Sequence, residues 1–369
     1  MHLRTVSTNM NRRHFLRFAS TACAAFCAGG LGLYGTSSRE PPWRTYEITT
    51  EIEVLDRSGQ TTIWVPQPLI RDTPFQRSIK RDIRCDGGAV RTFARASQSL
   101  GIVSARFSAR ENPNLTVTNW VATRNWSVDV STPGTHSGDI SAELRRWLQP
   151  TRYIPTAGLV KERATEITKG ATTDLDKARA IYEWIVENTS RNRKTRGCGR
   201  GDVRFMLESG DLSGKCADIN ALYVGLARAS GLPARDVYGI RIGPCHTGYQ
   251  SLGTHSGNST SAQHCRAEVY LRSHGWVPVD PADVRKVMLE ESPGHLSPTS
   301  RTVEAVRSQL FGSWEMNWMA YSYAQDVSLP GSNGPPLKFF MYPQSQSVEG
   351  WLDCLAPENF RYHISSREI

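Results

Sequence analysis

A cysteine at a predicted helix start is the first candidate for chemistry. The segment 212–220 reads LSGKCADIN, and apolar residues with helical spacing follow it until Gly231 and Pro233. We expect Ser213 to cap this helix, which puts Cys216 in the first turn. There the helix dipole and unpaired N–H groups stabilise a thiolate, and the same groups suit the oxyanion of an attacked carbonyl. The alternative for Cys216 alone is a buried cysteine that packs as a small apolar side chain.

A predicted hairpin supplies a base and an acid. Residues 264–271 predict one strand and residues 276–280 a second, joined by a connection over 272–275. If the hairpin centres near residue 273, His264 lies opposite position 282 and Asp280 is its diagonal neighbour on the same face. An aspartate in that position orients the imidazole, which takes the proton from Cys216. A register change of one residue would put the two side chains on opposite faces.

Three sequence blocks carry a resemblance to a known family. They are GKCAD at 214–218, HCRAEVY at 264–270 and GWVPVDPAD at 275–283. Together they resemble the transglutaminase-like superfamily, and more narrowly its exported bacterial members with a β-rich N-terminal region. The resemblance covers about residues 155–290 and implies an α+β, papain-like core of helices packed on an antiparallel sheet.

The resemblance also implies roles for three residues. It implies Cys216 as the nucleophile, His264 as the general base and Asp280 as the residue that orients the base. The expected activity is thioester-mediated acyl transfer on peptide or protein amide bonds, by hydrolysis or by transamidation, and it requires no cofactor. Cys265 departs from the residues more usual after the histidine, which leaves a bracing disulfide or a redox-sensitive site open.

Two other readings use the same residues. Cys245–His246 and His264–Cys265 supply zinc-type ligands, but their spacing is not that of a common zinc site. Adjacent strand residues also point to opposite faces, so each pair offers one ligand to a site. A catalytically silent binding module of the same fold is the alternative to an enzyme, because folds host many functions.

The rest of the chain must position these residues. Short strand-like runs predict a β-sandwich-like N-terminal domain over 45–130, with Pro66 and Pro68 ending its second strand. The catalytic core is expected over 150–290, with a helix opened by a capping box of Thr173 and Asp176. The glycine-rich loop 196–202 lacks phosphate-binding spacings and predicts a turn with positive φ. Residues 291–369 are expected to pack on the core as an extension.

The first 38 residues have the sequence pattern of an export signal. Arg12 and Arg13 precede Phe15–Leu16 and a run without charge from 18 to 38, a pattern similar to the twin-arginine consensus. This predicts a periplasmic or secreted protein, with the cleavage site undetermined. The apolar part of the run is short for a bilayer span, and no later stretch is long enough, so no membrane span is expected in the mature chain.

Charge and cysteine content exclude some classes of function. The 369 residues carry a formal charge of +9, but the basic residues neither cluster nor alternate with aromatics, so no nucleic-acid partner is expected. Beyond the signal, Cys216 is accompanied by five cysteines whose disulfide pairing the sequence leaves open: Cys85, Cys198, Cys245, Cys265 and Cys354. The sequence likewise leaves the substrate and the oligomeric state open.

Overall fold

The computed structural model describes residues 41–55, 59–132, 134 and 140–369. The predicted export signal over residues 1–38, with Arg12 and Arg13, lies outside the described residues. Among the helices described, none is long and apolar enough to cross a bilayer.

Strands dominate both ends of the described chain. In the first part they are β1 (Arg44–Val54), β2 (Thr61–Gln67), β3 (Gln76–Cys85), β4 (Ala89–Arg95), β5 (Leu100–Phe107), β6 (Asn114–Thr123) and β7 (Trp126–Ser127). The middle contains β8 (Ser190–Arg191), β9 (Ser213–Gly214), β10 (Ala234–Arg241), β11 (Gln263–Leu271) and β12 (Gly275–Val279). The last part contains β13 (Ser313–Trp314), β14 (Trp318–Ser322), β15 (Gln344–Ser347), β16 (Gly350–Leu352) and β17 (Phe360–Glu368).

The helices lie between β7 and β13 in the chain, interspersed with the strands of the middle part. They are α1 (Ala142–Arg145), α2 (Leu159–Ile167), α3 (Asp174–Asn188), α4 (Val203–Ser209), α5 (Cys216–Ala229), α6 (Pro281–Glu290) and α7 (Arg301–Gln309). The predicted capping box opens α3, because Thr173 accepts from the Asp176 N–H while Asp176 accepts from the Thr173 N–H. The expectation of helices combined with antiparallel sheets is confirmed.

Two antiparallel sheets form the β-sandwich. Their strand orders are β17-β1-β6-β3 and β16-β15-β2-β5-β4. An apolar cluster joins them, with Phe107, Val117 and Phe360 fully buried. The period-2 alternation of buried side chains along β1 and β6 fits one face turned to this core.

The C-terminal residues differ from the expectation that they pack on the core. The elements α7, β13 and β14 and the buried side chains of Met341 and Tyr342 do so, whereas β15 and β16 extend one sandwich sheet and β17 pairs with β1 from Val54 to Tyr46. The physical reason is that β1 and β2 would otherwise be exposed sheet edges, and these strands satisfy their N–H and C=O groups. The sandwich is therefore closed by residues about 300 positions away in sequence.

Of the two prolines expected to end β2, Pro66 lies within the strand, whereas the strand does end just before Pro68. The strand continues to Gln67, and Pro66 lies opposite Ile102 of β5. On its other side β2 pairs with β15 only over residues 62–64. Pro66 thus lies where β2 has a single neighbour, a position in which a missing N–H is tolerated.

The core is built around α5. This helix packs on the antiparallel sheet β12-β11-β10-β14, and all of its residues are buried. Its buried polar side chains are satisfied: Arg228 donates to the carbonyls of Ala234 and Gln149, and Asp218 and Asn220 are bonded as described below. A helix buried on every side is held rigidly, which suits a position that carries a reactive group.

We predict that Phe360→Ala lowers the free energy of unfolding by about 3–5 kcal/mol, because it leaves a cavity between the two sheets. Denaturant unfolding of the purified variant measures this loss. Val348→Ala is the matched control, since Val348 is 68% exposed in the same C-terminal segment. Equal stability of the two variants would contradict the role of β17 in closing the sandwich.

Candidate active site

Cys216 is the first residue of α5, as the sequence predicts, but Ser213 is not its cap. Ser213 lies in β9, which pairs with β8, and the N-cap position is Lys215. The carboxylate of Asp218 caps the helix by accepting from the Lys215 N–H at 3.0 Å. The N-terminal helix position that favours a thiolate is thus retained with a different capping group.

His264 and Asp280 lie side by side. The hairpin register pairs Leu271 with Gly275 and Ala267 with Val279, which puts His264 opposite position 282 as predicted. The His264 Nε2 is 2.7 Å from Asp280 Oδ2, and both side chains are buried. Because Nε2 is taken by the carboxylate, Nδ1 is the ring nitrogen left for Cys216, whose thiol interacts with the His264 ring. The three predicted residues are brought together.

Two residues that sequence analysis missed hold this arrangement. Asn220 Nδ2 donates to Asp280 Oδ1 at 3.2 Å and to the Cys265 carbonyl at 2.8 Å. Trp318 Nε1 donates to the His264 carbonyl at 2.9 Å. The contribution of Asn220 could have been predicted from the sequence, since it lies four residues after Cys216 on the same helix face. No local sequence pattern indicates Trp318, because its contact depends on the pairing of β14 with β10.

A second carboxylate faces the histidine. Asp283 Oδ2 is 3.4 Å from His264 Nε2. Arg241 holds Asp283 with two bonds of 2.6 and 2.8 Å and donates to the Leu252 carbonyl at 2.6 Å. Burial raises the pKa of Asp283, but Arg241 and His264 outweigh it and leave this pKa below its ordinary value. Asp283 therefore stays ionised beside the imidazole.

The electrostatics favour a thiolate beside an imidazolium. Burial lowers the pKa of His264, but the carboxylates of Asp283 and Asp280 outweigh burial, so the net shift of this pKa is upward. The pKa of Cys216 is lowered well below that of an ordinary thiol, by hydrogen bonds from Cys198 and Cys265 and then by His264, against the opposing effect of burial. Opposite shifts of an adjacent acid and base mark a charge-separated pair.

Cys198 lies on the glycine-rich loop and contacts Cys216. Gly197, Gly199 and Gly201 have φ of 56°, 99° and 63°, which confirms the predicted positive-φ turn. Asp218 anchors this loop by accepting from the N–H groups of Arg200 at 2.7 Å and Gly201 at 2.9 Å. One carboxylate therefore caps the helix of Cys216 and fixes the loop that carries Cys198.

Cys198 has two competing acceptors for its single proton. Its Sγ lies 3.2 Å from the Gln263 carbonyl, and it also contacts Cys216. Hydrogen bonds to an ionised acceptor are the stronger ones, so a Cys216 thiolate draws this proton. All six cysteines of the described residues are free thiols, and Cys265 hydrogen-bonds Cys216 without forming a disulfide with it.

A cavity of about 630 Å³ opens beside Cys216 and His264. The polar loop before β11 forms one wall from Gly253 to Gln263, and Tyr342, Leu355 and Tyr362 contribute from the C-terminal segment. A larger cavity of about 820 Å³ lies on the sandwich and touches none of the three predicted site residues. The smaller cavity is therefore the candidate active site, because Cys216 and His264 line it.

The ligand set for a metal differs from the one considered from sequence. His264, Asp280 and Asp283 offer ligand atoms within 4.8 Å of one another, whereas Cys245 and His246 join no such group within the described ranges. Arg241 already binds Asp283 through both carboxylate oxygens, and Arg266 Nε is 3.7 Å from Asp280 Oδ2. The two arginines thus supply the positive charge that a metal ion would bring to these carboxylates.

Comparison with known proteins identifies the family. The sequence pattern of the Transglutaminase-like superfamily matches residues 161–281, which include Cys216, His264 and Asp280. The crystal structure of a candidate cysteine protease from Cytophaga hutchinsonii has a TM-score of 0.51 and 17% identity, covering 89% of this chain and 99% of that one. The chain belongs to the transglutaminase-like superfamily.

The superfamily fold expected from the three sequence blocks is therefore confirmed. An uncharacterised protein of Haemophilus influenzae is 33% identical over 347 residues, or 88% of this chain and 91% of its own length. The periplasmic domain of TgpA from Pseudomonas aeruginosa is a more distant structural neighbour, with a TM-score of 0.33, 16% identity, and coverage of 66% of this chain and 88% of that one.

We predict that Cys198→Ala raises the pKa of Cys216, because the thiolate loses a hydrogen-bond donor. The measurement is the pH midpoint of alkylation of Cys216 by iodoacetamide, read by peptide mass mapping. Since the pKa of Cys216 starts below that of an ordinary thiol, the midpoint moves upward. Cys85→Ala is the control, as Cys85 lies on β3 outside the cavity. An unmoved midpoint in Cys198→Ala would show that Cys198 does not stabilise the thiolate.

Proposed function

We propose that the protein is a thiol-dependent acyl-transfer enzyme that acts on amide bonds of peptides or proteins. The observation that carries this proposal is the hydrogen-bonded array of Cys216, His264 and Asp280, of which Cys216 and His264 line one cavity. A thiol with a lowered pKa next to an oriented imidazole is the arrangement that nucleophilic catalysis requires.

The first half of the reaction forms a thioester. The Cys216 thiolate attacks the carbonyl carbon of the amide, and the carbonyl oxygen becomes an oxyanion. His264 gives its Nδ1 proton to the leaving nitrogen, the C–N bond breaks, and an amine or ammonia departs. Asp280 keeps the ring oriented and stabilises its charged form without taking the proton.

The second half regenerates the thiolate. His264, now neutral, takes a proton from water or from an amine as that acceptor attacks the thioester carbonyl, and the C–S bond breaks. Water gives a carboxylic acid, whereas an amine gives a new amide. The outcome depends on how well the bound acyl group excludes water from the cavity.

The start of α5 offers limited help to the oxyanion. The Ala217 N–H already donates to the Cys198 carbonyl at 2.9 Å. Of the first two helical amides, that of Cys216 is therefore the one available to the oxyanion, consistent with the geometry of a helix N-terminus. The glycine-rich loop thus takes up one of the donors that the sequence suggested for this role.

We also propose that the enzyme works in the periplasm or outside the cell. The support is the sequence pattern of Arg12, Arg13 and the following uncharged run. An envelope or extracellular location would make exported or cell-surface peptides the available substrates.

We predict a graded loss of activity across the three residues. Cys216→Ser abolishes turnover, since a hydroxyl ionises far less readily than a thiol, and His264→Ala loses nearly as much because the two act as one unit. Asp280→Asn loses less, on the order of 10⁴-fold in kcat, because it orients the ring and transfers no proton. The assay incubates each variant with glutamine-containing peptides, with and without a primary amine, and reads products by mass.

The products of this assay separate the possible reactions. Loss of ammonia alone indicates deamidation, chain cleavage indicates a protease, and an amine adduct indicates a transglutaminase. The proposal fails in favour of a binding module if no product forms and iodoacetamide also spares Cys216 near neutral pH.

We predict that replacing both Arg12 and Arg13 by lysine leaves the protein in the cytoplasm with its signal attached, because the arginine pair is the recognised feature. Cell fractionation and the mass of the retained chain measure this. Arg4→Lys is the matched control outside the motif. Normal export of the double variant would refute the twin-arginine assignment.

A further inference from the structure

The wall of the Cys216 cavity carries charge of one sign. Its lining residues include four lysine and arginine side chains, Arg191, Lys215, Arg241 and Lys286, and no aspartate or glutamate. Apart from Cys216 and the histidines, the remaining polar lining consists chiefly of hydroxyl and amide groups of the loop before β11. A cavity lined by one sign of charge concentrates ligands of the opposite sign.

Part of this charge is compensated from behind the wall. Arg241 is paired with Asp283, and Arg191 Nε is 2.5 Å from Glu290 Oε1. Glu290 is shared further, since Lys286 Nζ approaches its Oε2 at 4.0 Å. One carboxylate therefore serves two cations of the wall.

Lys215 and Lys286 hold the excess charge. Lys215 has no ion pair with any residue in the described part of the chain, and Lys286 has only the long contact to Glu290. Burial and the neighbouring Arg241 lower the pKa of Lys286 to about 8, against the opposing effect of Asp283. A cation whose own surroundings disfavour its charge gains from an anionic ligand.

We propose that the acyl donor carries a carboxylate next to the scissile amide and that Lys286 and Lys215 bind it. This inference rests on the proposed function in one respect, because only an acyl-transfer enzyme has an acyl donor. The preference for an anion is a property of the cavity wall and does not depend on the reaction. The carboxylate has two possible sources in a peptide, an acidic side chain or a free C-terminus. Both present the same charge to the two lysines.

The test compares two alkylating reagents of similar size at Cys216. Iodoacetate is anionic and iodoacetamide is neutral, so the ratio of their rate constants reports the field in the cavity, while any change in the pKa of Cys216 affects both reagents alike. At about pH 7, where Lys286 is mostly charged, Lys286→Met is expected to lower this ratio by about threefold or more. Lys286→Arg is expected to keep it, because the charge remains.

Lys169→Met is the matched control for loss of one positive charge. Lys169 is exposed just beyond α2 and lines no cavity with Cys216, so its removal should leave the ratio unchanged. Equal ratios in Lys286→Met and in the wild-type protein would overturn the assignment. A ratio that falls equally in Lys169→Met would also overturn it, since net charge would then explain the effect.

A second arm identifies the source of the carboxylate. Glutamine peptides that differ only in an adjacent Glu or Gln, each with a free or an amidated C-terminus, are compared by kcat/KM in the wild-type protein and in Lys286→Met. The expected result is a preference for one acidic form that Lys286→Met removes. Acidic and neutral peptides of equal kcat/KM would overturn the inference. If no peptide reacts while the alkylation ratio responds to Lys286→Met, the proposed acyl transfer fails and the anion site stands.

Discussion

The buried carboxylate of Asp280 ties three elements of the core together. Its Oδ2 meets His264 on β11, and its Oδ1 accepts from Asn220 on α5 and from the Asp283 N–H in the first turn of α6. Asp280 is thereby both the N-cap of α6 and the partner of the imidazole. Burial and then the neighbouring Asp283 raise the pKa of this carboxylate above its ordinary value, against the opposing effects of His264 and Arg266, so its hydrogen bonds must be made together to favour the ionised form. The helix start and the histidine orientation consequently depend on one another.

Buried charges around this carboxylate form a balanced set. Asp280 and Asp283 are matched by Arg241 and Arg266, and the latter stacks at 4.7 Å over the Trp318 ring. Removing one member leaves a buried charge without its partner, a change that costs several kcal/mol in proteins. The protonation of His264 is therefore a property of the whole cluster, because two carboxylates favour its charged form and Arg241 opposes it.

The sequence predicted the parts of the site that depend on local geometry. Hairpin register follows from a short connection, so the parity of His264 and Asp280 could be worked out from residues 264–280. The start of α5 could be predicted from the sequence, but its capping group could not. Asp218 accepts hydrogen bonds both from the helix start and from the glycine-rich loop, and the contact with the loop is long-range. Cys198 and Trp318 reach the site through long-range contacts that no local pattern encodes. The same holds for β17, whose sequence FRYHISSRE shows weak alternation and whose partner is β1.

The C-terminal segment gives the sandwich a part in the site. Tyr362 lies on β17 opposite Ile52 and also lines the Cys216 cavity. The loop before β11 is fastened to the same strand, since the Ser259 N–H donates to the Ile364 carbonyl at 2.8 Å and the hydroxyls of Ser259 and Ser366 are 2.8 Å apart. Two walls of the cavity are thus attached to one strand of the sandwich. The shape offered to a substrate is therefore set by a β-sheet that carries none of the reacting groups, while the reacting groups are set by α5 and the β11–β12 hairpin. Because the two are held by different elements, the cavity wall is able to vary in sequence without disturbing the array of Cys216, His264 and Asp280.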